Sequence, residues 1–464
     1  MQQFANRTFD EIEIGASDTV VRTLTATDVE ALALAAGDVE AFHLDLSPDA
    51  VAEAATAPGA AAVALVAGVL NRRLPGPGSA IIGTHFRYAG KIRAGDTLTV
   101  VVTARTKYAE DHRIDFDCRC TNREGEVLVN GVATVAAPAL RIAYTNIATP
   151  EVILRRNDGL ARLLQRCEGL APVTCAVVHP CDRDSLMGAI ESAKRGLIVP
   201  ILVGPEARIR ATAESANIDL TPYRIVSTPH SHAAADHAVA MARAGDVEAL
   251  MKGSLHTDEL MEAVVSSVTG LRTERRISHV FVMDVPAYPR TLMITDAAIN
   301  IAPDLTCKAD ICQNAIDLAH VLGNEAPKVA ILSAAETVNP KIESTLHAAA
   351  LCKMADRGQI TGGVLDGPLA FDNAVSPDAA RTKGIVSPVA GIADILLVPD
   401  LESGNMMAKQ LTYLAGADSA GIVLGARVPI VLTSRADNVR TRLASAAVMK
   451  LVAHDRRARL LPRE

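Results

Sequence analysis

Tryptophan is absent from the 464 residues, and all aromatics together reach only 3%. Proteins that bind nucleic acid stack bases on aromatic rings and track phosphates with net positive charge. A chain with so few rings and a net charge of -7 offers neither, so no nucleic-acid partner is expected. The eight cysteines show no CxxC pair and no Cys/His zinc spacing. They read as small buried or half-buried thiols, which suits a reducing, cytoplasmic setting. His230, His232, His237 and His256 are spaced unevenly and read as solvated or packed side chains, so no metal is expected. The longest apolar stretch, Ala60 to Leu70, is too short to span a bilayer. The start, MQQFANRTFDEIEIG, lacks the basic and apolar regions of a signal peptide. Hydrophobic residues make up 49%, enough for a large, aliphatic, Ala-rich core. The length suggests two or three domains.

Residues 1–145 read as one unit. A helix is expected after Thr27, read as its N-cap, and ends at Gly37. GDVEAFHLD follows, and then an Ala-rich helix over Ala54–Leu70, apolar all round and therefore buried. Strands are expected at Ala80–Tyr88, Thr97–Lys107, Arg113–Cys120 and Val127–Val135, with clear alternation in RIDFDCRC. Antiparallel strands with one buried helix make an α+β layer.

The order helix, GDxxxxHLD, Ala-rich helix, LPGPGS and strands with an xAGDxL turn resembles the MaoC-like hot-dog family of (R)-specific enoyl-CoA hydratases. The resemblance implies hydration of a 2-enoyl-CoA by an Asp and a His, which here are Asp38 and His43. One would deprotonate water while the other helps protonate the α-carbon. It also implies a backbone N–H at the start of the buried helix that holds the thioester carbonyl. Two departures stand out. Glu40-Ala41 replace the family's Asn-Pro, and Pro58-Gly59-Ala60 replace its His-Gly-Met, so the donor would be Gly59.

Residues 138–155 read as a linker, and 146–464 as a second domain. From Val173 onward, short apolar runs alternate with helical segments, the pattern of a largely parallel α/β sheet. Ligands bind such sheets at strand carboxyl ends. The runs at 362–365, 395–398 and 430–432 end in Asp366-Gly367-Pro368, Pro399-Asp400 and Thr433-Ser434-Arg435. Segments such as LMKGSLHT, ITDAAINIAPD, DGPLAFDNAVSP, SPVAGIADILLVPDLESGN and VPIVLTSRAD resemble the phosphate acetyl/butyryltransferase family, whose two subdomains exchange acyl groups between coenzyme A and phosphate. The order of the two modules resembles bifunctional enoyl-CoA hydratase/phosphate acyltransferases.

For that chemistry a cation must offset phosphate without giving up its proton, and Arg435 suits. Ser434 can donate to the thioester oxygen or the departing thiolate. Acetyl-type members place a basic Asp several positions after the Ser-Arg pair, but here the count reaches Thr441. Either Asp437 serves as the base, or positioning and charge suffice. Lys252, Asp296, Asn300, Asn373 and Asn405 are weaker substrate-binding candidates, each equally readable as a cap or turn residue. Arg440-Thr441-Arg442 reads as a solvated helix face. The resemblance implies acyl-CoA, phosphate and acyl phosphate as substrates, no tightly bound cofactor, and a homo-oligomer. The rival readings are an acyl-CoA-binding or assembly protein with a non-catalytic first module, and a decarboxylating dehydrogenase. The second needs an acidic metal-ligand cluster that the sequence does not display.

Overall fold

The computed structural model describes residues 3–37, 60–145, 159–434 and 437–460. Asp38, His43, Gly59 and Arg435 therefore lie outside the described residues. The chain divides into two compact units, Met1–Leu154 and Arg155–Glu464.

The first unit holds β1 (Gln3–Ala5), β2 (Ser17–Thr23), α1 (Ala26–Ala36), α2 (Ala60–Arg72), β3 (Ala80–Tyr88), β4 (Thr97–Tyr108), β5 (Arg113–Thr121), β6 (Val127–Ala136) and β7 (Ala143–Thr145). Five strands form an antiparallel sheet in the order β2-β4-β5-β6-β3, and β1 pairs with β7. Strand β5 turns Ile114, Phe116, Cys118 and Cys120 inward, while Asp117 and Arg119 face out. Burying one face and solvating the other fixes its register. Helix α2 lays Ala62, Val66, Val69 and Leu70 on that buried face, spaced three or four apart as a helix requires. The N-cap of α1 is Thr25, not Thr27. Thr25 Oγ1 accepts from the Asp28 N–H at 3.1 Å, and Asp28 answers the Thr25 N–H at 2.9 Å. This reciprocal box satisfies two orphan donors, which a cap at Thr27 would not.

The second unit runs through α3 (Gly159–Arg166), β8 (Val173–Val178), α4 (Arg183–Lys194), β9 (Ile198–Gly204), α5 (Glu206–Ser215), β10 (Arg224–Ser227), α6 (Ser231–Ala244), β11 (Ala249–Lys252) and α7 (Thr257–Val265). It continues through β12 (Ser278–Asp284), β13 (Leu292–Thr295), α8 (Leu305–Val321), β14 (Lys328–Leu332), α9 (Glu343–Asp356), β15 (Val364–Leu369), α10 (Phe371–Val375) and α11 (Pro377–Thr382). It closes with β16 (Ile395–Leu397), α12 (Leu401–Tyr413), β17 (Asp418–Leu424), β18 (Ile430–Val431) and α13 (Val439–Leu460).

These strands form one 11-stranded sheet, ordered β10-β9-β8-β11-β18-β17-β12-β13-β16-β14-β15. Both flanks are parallel, but β18-β17, β17-β12 and β12-β13 are antiparallel. For β12-β13 and β18-β17 the physical reason is loop length. A parallel crossover needs about a dozen residues or more, and 285–291 and 425–429 are too short. As a consequence β8, β11 and β18 leave the sheet at one edge, and β13, β14, β15 and β16 at the other. Asp366-Gly367-Pro368 lies inside β15 rather than after it. That strand is an edge, where a proline's missing N–H costs no ladder bond. No helix among the described residues is long and apolar enough to cross a membrane.

Candidate active site

Strand β18 ends at Val431, and the chain turns through Thr433 and Ser434 before α13 begins. The Ser434 N–H donates to Asp437 Oδ2 at 2.6 Å, and the Asp437 N–H returns a bond to the Ser434 carbonyl at 3.2 Å. Asn438 then caps α13 by accepting from the Thr441 N–H at 2.9 Å. Ser434 is exposed and Asp437 is half-buried. Burial pushes the Asp437 carboxyl above its usual range, while the Ser434 N–H, Arg442, Lys252 and Lys409 pull the other way.

Arg442 holds this turn from beneath. Its side chain is only 2% exposed, and it donates to Thr433 Oγ1 at 2.9 Å, the Ser434 carbonyl at 3.0 Å and the Asp437 carbonyl at 3.3 Å. The expectation of a solvated helix face at 440–442 is thus corrected. Arg440 does reach outward, to Asp418 at 2.8 Å, but Arg442 fills the space above Gly188, where a Cβ would come within 2.6 Å of its Cδ. Burial works against the guanidinium's charge, and Asp182, Asp437 and Asp184 favour it.

Two neighbouring strands end beside this turn. Lys252, the last residue of β11, is buried, and its Nζ lies 3.4 Å from the Thr433 carbonyl. Gly253 runs so close to β8 that a Cβ would meet the Val178 and His179 carbonyls at 2.4 and 2.6 Å. Ser254 Oγ donates to the His179 carbonyl at 3.0 Å and lies 3.3 Å from its Nδ1. Burial lowers the His179 pKa, so this end of β8 favours a neutral imidazole.

Asp296 and Asn300 follow β13 at the opposite edge. Asp296 is buried and accepts from the N–H groups of Ala298, Ile299 and Asn300. Burial raises its pKa. Asn300 Nδ2 binds Asp296 at 2.6 Å and the Ile277 carbonyl at 2.9 Å. Asn405, on α12, binds the Ala297 carbonyl at 3.1 Å. One helical turn on, Lys409 shares its face and favours the Asp437 charge. Asn373 stands apart, fully buried on α10, with no side-chain partner among the described residues. His230 caps α6 at 3.2 Å, and His232 meets Glu259 at 3.5 Å. Among the described residues, no group of three or more His, Cys, Asp or Glu is placed to hold a metal.

The profile of the family described as "Phosphate acetyl/butaryl transferase" matches residues 231–450. A phosphate acetyltransferase of Rhizobium meliloti is 67% identical over 297 residues, covering 64% of this chain and 94% of the relative. The chain belongs to the phosphate acetyl/butyryltransferase family. A phosphate butyryltransferase of Clostridium acetobutylicum is 43% identical over 278 residues, covering 60% of this chain and 92% of that protein. The solved structure of a branched-chain phosphotransacylase from Enterococcus faecalis V583 is 30% identical, with a TM-score of 0.54, covering 61% of this chain and 99% of that one. The second unit therefore has the phosphotransacylase fold.

Within this transferase unit, sequence reasoning missed Arg442, His179 and Lys409. A signal for Arg442 was available. From Leu443 to Ala453 the helix is apolar nearly all round, and such a helix is buried. A polar residue inside it is buried too, as Lys450 also shows by donating to the Cys167 and Gly196 carbonyls at 3.2 and 3.0 Å.

Proposed function

We propose that the second unit transfers an acyl group between coenzyme A and inorganic phosphate, at the turn after β18. The observation that carries this reading is the Ser434–Asp437 turn, set at a strand's carboxyl end and a helix's N-terminus, with the buried Lys252 amine beside it. A helix N-terminus favours an anion. Arg435, next to Ser434 in sequence, supplies the counter-charge for phosphate. A phosphate oxygen bonds to the acyl carbon, the carbon–sulfur bond breaks, and the thiolate of coenzyme A leaves. The Ser434 hydroxyl donates where negative charge develops, on the thioester oxygen or the sulfur. Asp437 already accepts from the Ser434 N–H, so its role is to position the turn. The names of the Rhizobium and Clostridium relatives support acetyl- or butyryl-CoA as substrate.

The test is a coupled assay that supplies phosphate with acetyl-, propionyl- and butyryl-CoA. Arg435→Ala should lower turnover by about a thousandfold or more, the scale expected when a transition-state charge partner is lost. Unchanged turnover in that variant refutes the assignment.

A second reading concerns the first unit. We propose that it is a hot-dog domain that hydrates (R)-type enoyl-CoA through Asp38 and His43, with Gly59 as the carbonyl donor. The antiparallel sheet with α2 laid on its buried face favours it. Crotonyl-CoA hydration that disappears in Asp38→Asn supports the activity. Absence of hydration in the wild type leaves the unit as an acyl-CoA-binding or assembly element. We also propose a homo-oligomer, which light scattering tests directly.

A further inference from the structure

Helix α13 begins at the Ser434 turn, and its 22 residues carry it about 33 Å away at 1.5 Å per residue. Near its far end, against the β17–β18 connection and α8, lies a concave cavity of about 390 Å³. Arg275, Arg427, Arg456 and Arg459 line it. Two of these are matched by carboxylates. Arg275 meets Asp317 at 2.5 Å, and Arg459 meets Asp455 at 2.7 Å. The other two have no carboxylate within ion-pairing distance among the described residues. Arg456 gives one N–H from each terminal nitrogen to the backbone carbonyls of Arg427 and Ala426, at 2.7 and 3.0 Å, and keeps its other donors. Arg427 is exposed. The carbonyl bonds fix the Arg456 guanidinium in place without cancelling its charge, and burial works against that charge. Leu318, Val321, Leu424 and Val452 supply an apolar wall.

Two unmatched guanidiniums in a concave site ask for a dianion, and a planar fork suits phosphate oxygens better than a point charge does. The apolar wall asks for a body attached to that phosphate. We propose that this cavity binds a phosphorylated small molecule, with its phosphate on Arg427 and Arg456 and its body against the Leu424–Val452 wall. The site lies remote from the Ser434 turn and takes no part in the acyl transfer proposed there.

Calorimetric titration of the full-length chain tests this, with adenosine monophosphate as one probe and inorganic phosphate as the other. Arg427→Glu and Arg427→Ala change an exposed side chain, so both variants are expected to fold, and a melting curve checks it. The expected result is adenosine monophosphate binding to the wild type that falls by about tenfold or more in each variant, roughly 1.4 kcal/mol. Inorganic phosphate binding as tightly as adenosine monophosphate would overturn the place given to the body on the apolar wall. Equal affinity in wild type and variants, or no binding of adenosine monophosphate at millimolar concentration, overturns the proposal. These outcomes do not depend on whether the Ser434 turn transfers acyl groups.

Discussion

Arg442 donates to the Ser434 carbonyl at 3.0 Å from a position almost wholly sealed from solvent. The exposed serine and the buried arginine are parts of one device. The guanidinium binds three atoms of the turn, and it can do so only because Gly188 leaves room above α4.

Arg442→Met keeps the apolar stem and removes all three bonds. Hydrogen bonds from a charged donor contribute about 1.5–3 kcal/mol each, so a turn held by three should lose its geometry. The expected outcome is at least a tenfold fall in kcat for acyl-CoA phosphorolysis with KM for acyl-CoA little changed. Full kcat in a folded variant would show that the turn holds itself. Gly188→Ala should act in the same direction by displacing the arginine, and a lowered melting temperature would accompany it.

Asp437 separates two roles. If it positions the turn, Asp437→Asn keeps an oxygen for the Ser434 N–H and retains much of the activity, while Asp437→Ala loses it. If it is the base for the coenzyme A thiol, both variants fall equally. Initial rates in both directions decide between these.

His279 sets an acid limit on the transferase unit. It is fully buried on β12, with the Leu432 backbone beside its ring. Burial lowers its pKa from 6.5 to about 4. Unfolded, the ring takes up a proton near pH 6.5; folded, it resists until about pH 4. Stability is therefore full above pH 6.5 and is lost as pH falls towards 4, by up to about 3 kcal/mol at roughly 1.4 kcal/mol per pH unit. Urea unfolding at several pH values checks this. In His279→Phe that share of the loss should vanish. Identical pH profiles would remove histidine 279 as the cause.

Phe116 anchors the first unit, fully buried between sheet and α2. Phe116→Ala should destabilise that unit by about 3–5 kcal/mol, read as an earlier unfolding transition by calorimetry.

Much of this molecule was legible in the residues. Alternation in RIDFDCRC gave β5 its two faces, because side chains on a strand point alternately. The apolar run at 430–432 and the helical stretch beyond it place Ser434 after a strand and before a helix, and that is where the turn sits. Loop lengths could have revealed the antiparallel centre of the sheet, since 285–291 cannot make a crossover, but apolar runs look alike in either direction.

What the chain alone determined is local: which runs are strands, where turns fall, and that a serine and an arginine follow β18. Those follow from periodicity and short-range chemistry. Folding decided which distant side chains meet that serine. Arg442 looked solvated because charge usually seeks water, and only the packing of α13 against α4 shows it turned inward. Lys252 reaches Thr433 across 181 positions of sequence, a contact made by two parallel strands lying side by side. No local pattern encodes such a meeting, because it depends on strand order and direction, which are properties of the whole sheet.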